Sequence, residues 1–193
     1  TYSTKGDNIL TTITSITATE IAQKIKAREM SASEVVEAHV RRIEEVNPRL
    51  NAVVIPLFEQ ARQQAKDADA AQRSGNALGL LHGVPVTIKE QFLVKDTATS
   101  FGLLHQKNHR ATEDGPLVKR LRDAGAIILG KTNISQLLIY IESDNELYGR
   151  TNNPWNLERS PGGSSGGEAA IIAAGGSPLG LGGDFGGSIR EPA

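Results

Sequence analysis

A concentration of glycine constrains the fold of this chain more than any other feature of its sequence. Of the 20 glycines among 193 residues, 14 lie from Gly125 to Gly187. Glycine adopts backbone conformations that side chains forbid, and it lets the backbone approach other groups closely. Within this stretch Ser164 and Ser165 lie between two pairs of glycines, and Ser188 follows Gly186 and Gly187 directly. We therefore expect tight turns there, or backbone that closely approaches another group.

Secondary-structure signals alternate along the chain after two opening helices. Capping boxes at Thr17 and Ser31 predict a helix that ends near Arg28 and a second that ends near Pro48. Strands are predicted over 52–55, 84–88, 126–129 and 178–181, and helices over 58–73, 116–123, 133–138 and 165–174, with a polar surface segment over 143–160. The alternation predicts an α/β fold with a mixed, mostly parallel sheet flanked by helices.

Composition excludes several classes of function. A net charge of −1 and an aromatic content of 4% argue against a nucleic-acid partner. The absence of cysteine excludes disulfides, thiol catalysis and thiolate metal sites within this chain. The sequence has no apolar run of 18 residues and no signal-peptide pattern at its start, so we expect a cytoplasmic protein with no transmembrane segment.

Three short motifs match known patterns but lack the context that those patterns need. The segment from Gly125 to Thr132 fits a phosphate-binding loop, yet its apolar residues predict a buried strand between two turns. The segment from Gly162 to Gly166 fits the nucleophile elbow of α/β-hydrolases, which needs a histidine later in the chain. All four histidines of this chain precede Ser164. The glycosylation sequon at Asn133 is better interpreted as the start of a helix, where Asn caps well.

The polar residues of the glycine-rich stretch suggest chemistry. Ser164 is predicted near a helix start, where N–H groups favour negative charge. Gly186 and Gly187 precede Ser188, so that successive N–H groups could converge on an oxyanion. Structural serines in a glycine-rich turn would explain the same pattern. Lys89 follows a predicted buried strand, where it would act as a base if it is partly buried. A salt bridge with Glu90 or a solvated strand end would explain its position as well.

Four segments of this sequence together closely resemble the amidase signature family: Gly83 to Glu90, Gly130 to Asn133, Pro161 to Glu168 and Gly180 to Arg190. The resemblance covers most of the chain from about Ile16 onward. It implies that Ser188 is the nucleophile, that Ser164 in a cis peptide relays protons, and that Lys89 is the base. It also implies supporting roles for three further residues and an oxyanion hole built from backbone N–H groups. The supporting residues are Ser165, Asp184 and Arg190, and the N–H groups are those of Phe185, Gly186, Gly187 and Ser188.

The chain departs from the family pattern at two positions. Gly183 stands where the family usually has a hydroxyl residue, and Phe185 where it commonly has isoleucine or threonine. We expect Phe185 to narrow the site. Because the family domain is longer, residues 1–193 are expected to be its N-terminal part, with lead-in helices over about 17–48 and a catalytic core over about 50–193. This part alone is not expected to be an active enzyme.

The resemblance implies hydrolysis of a carboxylic amide through an acyl-enzyme, without metal or cofactor. The expected partner is a small-molecule amide, and a homodimer is left open. One alternative is the glutaminase subunit of a tRNA-dependent amidotransferase, although Glu168 and residues 139–148 look more like a stand-alone amidase. A second alternative is a nucleotide-binding module that uses the segment from Gly125 to Thr132.

Overall fold

A computed structural model describes residues 13–76 and 79–193 of the chain. A four-stranded sheet is packed against helices. The helices are α1 (Ala18–Lys26), α2 (Ala32–Leu50), α3 (Phe58–Arg73), α4 (Pro116–Asp123) and α5 (Gly166–Ala173). The strands are β1 (Val53–Pro56), β2 (Pro85–Lys89), β3 (Ile127–Thr132) and β4 (Gly180–Leu181), and short 3₁₀ turns occupy Leu104–Gln106 and Gln136–Leu138. None of the helices in the described ranges is long and apolar enough to cross a membrane.

The two opening helices begin at the predicted capping boxes. In each, the hydroxyl of the N-cap residue accepts a backbone N–H bond from the glutamate three residues later, which bonds back to the cap. Helix α2 continues two residues past its predicted end at Pro48. Asn51, in the left-handed conformation, ends the helix by donating its N–H to the Asn47 carbonyl. The extension includes Leu50, whose side chain is buried.

The sheet has the order β1-β3-β2-β4. Strand β2 lies parallel to both β3 and β4, whereas β1 is antiparallel to β3, which confirms the mixed, mostly parallel sheet. A register shift after Val86 places Lys89 opposite Thr132, and Thr87 lies opposite Gly180. Since residues two apart on a strand share a face, Thr87 and Lys89 project to the same side of the sheet.

Apolar residues fill both sides of the sheet. On one side, helices α1, α2, α3 and α5 bury a cluster that includes Ile25, Val36 and Ile171 with Leu129 of β3. On the other, a smaller cluster includes Ile88 and Val118. This packing fixes β2 and β3, and with them the residues at their carboxyl ends.

The predicted helix over 133–138 is wrong. Only the short 3₁₀ turn forms, and the positive φ angles of Leu137 and Leu138 interrupt any helix there. The Asn133 amide donates instead to the Gly149 carbonyl and to the Thr151 hydroxyl. Asn133 therefore fixes the following loop and does not cap a helix.

The polar segment over 143–160 lies only partly at the surface. Ser143, Asn145 and Thr151 are buried in it, because their side chains bond the backbone of neighbouring segments. Polarity of the sequence predicted exposure, but hydrogen-bond satisfaction decides the burial of these residues.

Candidate active site

Lys89 lies at the carboxyl end of β2 and is fully buried. Its Nζ donates to Ser164 Oγ at 2.7 Å and to the Gly183 carbonyl at 3.1 Å. Burial lowers the pKa of Lys89 to about 8, while the carboxylates of Glu168 and Asp184 act in the opposite direction. The structure thus brings together two residues that are 75 positions apart and gives one of them the character of a base near neutral pH.

Glu90, the alternative salt-bridge partner of Lys89, is engaged elsewhere. Its carboxylate accepts the N–H and the hydroxyl of Ser100 at 2.6 and 2.7 Å, and the N–H of Phe101 at 3.2 Å. Glu90 lies in the turn directly after β2, and these hydrogen bonds direct its carboxylate to residues 100 and 101, so Lys89 and Glu90 do not pair.

The segment that carries Ser164 is held from both sides. The Gly163–Ser164 peptide bond is cis, and the Gly163 N–H donates to Glu191 Oε2 at 2.8 Å. A Cβ at Gly163 would lie 2.9 Å from the backbone of Glu142, so that no larger residue fits. Ser165 donates its N–H to the Ser188 carbonyl at 3.0 Å and its hydroxyl to the Gly183 carbonyl at 3.3 Å. Ser165 thereby links the Ser164 segment to the Ser188 segment.

The loop that carries Ser188 wraps around the carboxylate of Asp184. This carboxylate accepts the N–H groups of Gly187, Ile189 and Arg190 at 2.9, 2.9 and 3.1 Å. The Arg190 guanidinium binds it as well, at 2.7 and 3.1 Å. The Arg190 guanidinium, followed by these backbone N–H groups, holds the pKa of Asp184 well below its usual range. Asp184 and Arg190 therefore hold the backbone of this loop in place. Because their side chains are paired with each other, neither is available as a separate acid or base for Lys89.

Ser188 is half-buried, and its hydroxyl makes no hydrogen bond within the described residues. The Lys89–Ser164 contact is formed, whereas the structure does not close a hydrogen bond between Ser164 and Ser188. A backbone bond through Ser165 connects the two serine segments.

The four backbone N–H groups expected to form an oxyanion hole differ in their hydrogen bonding. The Gly187 N–H donates to Asp184 Oδ1 at 2.9 Å. The N–H groups of Phe185, Gly186 and Ser188 have no acceptor among residues 13–76 and 79–193. These three donors fit the chemistry of an oxyanion site.

The two departures from the family pattern have different surroundings. The Phe185 side chain is fully exposed, so within the described residues it does not narrow the site. A Cβ at Gly183 would lie 2.8 Å from Nε2 of Gln91, whose amide oxygen is buried without a partner in the described structure. A side chain at position 183 would therefore have to share its space with Gln91.

Sequence analysis missed the surroundings of a buried acid at this site. The carboxyl group of Glu168 accepts the hydroxyls of Thr87 at 2.6 Å and Thr132 at 2.8 Å. Burial raises the pKa of Glu168 to about 7. The available signal was one charged residue in the first turn of the otherwise small and apolar helix α5.

The segment that fits a phosphate-binding loop forms strand β3 itself, with every residue from Ile127 to Thr132 buried. Lys131 donates to the Ala98 carbonyl and to the Thr99 hydroxyl at 2.9 Å. Burial lowers the pKa of Lys131 to about 8 as well. Its ammonium group is thus bound by groups of the protein itself, and the segment does not have the loop geometry that phosphate binding needs.

The chain is similar to several known proteins. The model of the Amidase family matches residues 34–193. Fatty-acid amide hydrolase 2-A of Danio rerio is 45% identical over 185 residues, covering 92% of this chain and 35% of that protein. Indoleacetamide hydrolase of Bradyrhizobium diazoefficiens is 44% identical over 176 residues, covering 91% and 34%. A glutamyl-tRNA(Gln) amidotransferase subunit of Acidothermus cellulolyticus is 43% identical over 177 residues, covering 92% and 35%.

A solved structure of fatty acid amide hydrolase superposes with a TM-score of 0.92 at 37% identity, covering 95% of this chain and 32% of that one. A bacterial aryl acylamidase of the amidase signature family superposes with a TM-score of 0.88 at 34% identity, covering 92% and 37%. The chain spans about a third of the length of the relatives it matches.

Proposed function

This chain belongs to the amidase family, and on that premise we propose that it hydrolyses a small-molecule carboxylic amide through an acyl-enzyme on Ser188. The observation that carries the proposal is the buried contact of 2.7 Å between Lys89 Nζ and Ser164 Oγ. A lysine without a partner carboxylate in contact, bound to a serine hydroxyl in a dry site, is suited to accept a proton.

The reaction starts from neutral Lys89, with the Ser164 hydroxyl donating to the lone pair of Nζ. The Ser188 oxygen attacks the amide carbonyl while its proton passes through Ser164 to Lys89. The resulting oxyanion accepts hydrogen bonds from the backbone N–H groups of Phe185, Gly186 and Ser188. The C–N bond then breaks, and the Lys89 ammonium returns the proton to the leaving nitrogen. Water attacks the acyl-enzyme by the same route and regenerates Ser188.

Ser165, Asp184 and Arg190 support this reaction without touching the substrate. Ser165 fixes the distance between the two serine segments, and Asp184 with Arg190 holds the backbone around Ser188. The oxyanion donors are backbone groups, so their direction depends on this turn.

The glutaminase subunit of an amidotransferase remains the second candidate, because the chain is also 43% identical to an amidotransferase subunit. The chemistry would be the same with glutamine as the amide. Substrate preference therefore separates the two candidates, and the residues of the triad do not.

A panel of amides tests the proposal. Fatty-acid amides, aryl acetamides and glutamine are incubated with the purified full-length protein and with its Ser188→Ala and Ser74→Ala variants. Ser74 bonds only within helix α3 and serves as the matched serine control. We expect Ser188→Ala to lose hydrolysis and Ser74→Ala to retain it. Hydrolysis of glutamine alone would favour the second candidate, and equal activity of both variants would contradict the proposal.

A further inference from the structure

The strongest unassigned feature is the buried carboxyl group of Glu168, in the first turn of helix α5. The residue is 4% exposed, and its two oxygens accept one hydroxyl from β2 and one from β3. The hydroxyl donors are Thr87, two residues before Lys89 on the same face of β2, and Thr132, directly opposite Lys89 in β3. The carboxyl group is therefore fixed on the face of the sheet that carries Lys89.

The sheet leaves space for this carboxyl group. Gly180 of β4 lies opposite Thr87, and a Cβ at Gly180 would lie only 2.1 Å from Glu168 Oε2. Burying a carboxylate costs free energy unless a cation or several donors compensate it. Here the direct donors are two neutral hydroxyls, and no ion pair of Glu168 is present in the part of the chain that the structure describes.

Charge matching around Lys89 singles out Glu168. Two carboxylates act electrostatically on the Lys89 ammonium, those of Glu168 and Asp184. Asp184 is already paired with Arg190 at 2.7 Å. Among residues 13–76 and 79–193 Glu168 has no such partner, and Lys89 is the cation that acts on it. The Lys89 ammonium and the Glu168 carboxylate are thus two opposite charges that other ion pairs of the described residues leave unneutralised. They lie in a dry region, where interactions between charges are strong.

We propose that Glu168 is a positioning residue that acts through Lys89, its carboxylate stabilising the ammonium that forms when Lys89 takes up the proton of Ser188. The proposal rests on the proposed amidase function. During acylation one proton moves from Ser188 through Ser164 to Lys89, which creates a positive charge on the face of the sheet where Thr87 and Thr132 hold the Glu168 carboxylate. When the leaving nitrogen takes this proton, the positive charge disappears again. Glu168 itself neither gives nor takes a proton in this sequence.

The first test is the pH dependence of kcat/KM in Glu168→Gln. Without the carboxylate Lys89 is a weaker base and its pKa falls. The acid limb of the profile, over which kcat/KM rises with pH, should therefore move to lower pH by about one unit. The plateau at high pH should also fall, because a weaker base accepts the serine proton less readily. Glu37→Gln removes a carboxylate from the Arg62 ion pair on the surface of α2 and should leave the acid limb in place. A loss of packing alone would lower the rate without moving the limb.

The second test does not depend on activity. Carboxyl ¹³C signals of glutamate-labelled protein are titrated in the wild type and in Lys89→Met, which replaces the buried amine by an apolar side chain of similar length. Burial raises the pKa of Glu168 to about 7, so its signal should titrate above those of exposed glutamates. This signal should move to higher pH by about one unit or more when the cation is removed. An unchanged titration would overturn the proposal.

The two tests separate failure of this inference from failure of the proposed function. An active protein whose acid limb stays in place in Glu168→Gln overturns the role of Glu168 and leaves the amidase function intact. An inactive wild-type protein whose carboxyl titration still responds to Lys89→Met supports the coupling and removes the amidase function. If Glu168→Gln does not fold, the titration of Lys89→Met decides the question.

Discussion

The pH dependence of amide hydrolysis should report the ionisation of Lys89. The pKa of Lys89 is lowered by burial from 10.5 to about 8. At pH 7.5 this value leaves about a quarter of the Lys89 side chains neutral, whereas the ordinary value would leave about one in a thousand. Burial therefore makes the base form roughly 200-fold more abundant at this pH. We expect kcat/KM to rise about tenfold per pH unit below pH 8 and to level off above it.

The assay compares wild-type protein with Lys89→Met and Lys131→Met between about pH 6 and 10, on whichever amide of the panel is hydrolysed. Lys131 is the matched control, since burial also lowers its pKa to about 8 but its ammonium bonds residues 98 and 99. Lys89→Met should reduce kcat/KM by about 10² to 10⁴-fold and lose the acid limb. Lys131→Met should keep the limb. A limb that persists in Lys89→Met and disappears in Lys131→Met would refute the assignment of the base.

Three further variants probe the surroundings of the site. Phe185→Ile should leave the Tm unchanged and change kcat/KM equally for bulky and for acetamide-sized acyl groups, because the ring is fully exposed and, within the described residues, does not narrow the site; a larger gain for bulky acyl groups would mean that the ring meets the acyl group. Gly180→Ala should lower stability by about 1 to 3 kcal/mol in chemical denaturation, since its Cβ would lie 2.1 Å from Glu168 Oε2; unchanged stability would show that the carboxyl group moves freely. His39→Leu should flatten the fall in Tm between about pH 7 and 5. Burial lowers the pKa of His39 below 6.5, so its contribution to stability is complete above that pH and is lost as the pH falls; an identical pH profile of Tm in wild type and variant would contradict this.

Local signals predicted most of the fold. Helix α3 begins at Phe58 and ends at Arg73 as expected, because alanines at helical spacing bury one face. Strand β3 runs three residues beyond its predicted end at Leu129, since pairing with β2 keeps Lys131 and Thr132 in the sheet despite their polarity. Register between strands is a tertiary property that the composition of a single strand does not reveal.

The candidate site, like the fold, could be predicted from the sequence only in part. Lys89, Ser164 and Ser188 lie in dense motifs, so the sequence predicted them as the site, and the structure shows a contact between the first two. The contacts of Glu168 could not be predicted, because Thr87 and Thr132 lie 81 and 36 residues away and meet it only through sheet register. Likewise, only the folded loop shows that the Gly187 N–H, one of the expected oxyanion donors, is hydrogen-bonded to Asp184.

The identity of the serine that becomes covalently modified tests the central claim most directly. The purified full-length protein is treated with a fluorophosphonate and digested, and the modified residue is located by tandem mass spectrometry. Serine hydrolases form a stable adduct on the nucleophile itself. Our account predicts modification of Ser188, and loss of that adduct in Lys89→Met. Modification of Ser164 or Ser165, with Ser188 unmodified, would contradict the account and reverse the assigned roles.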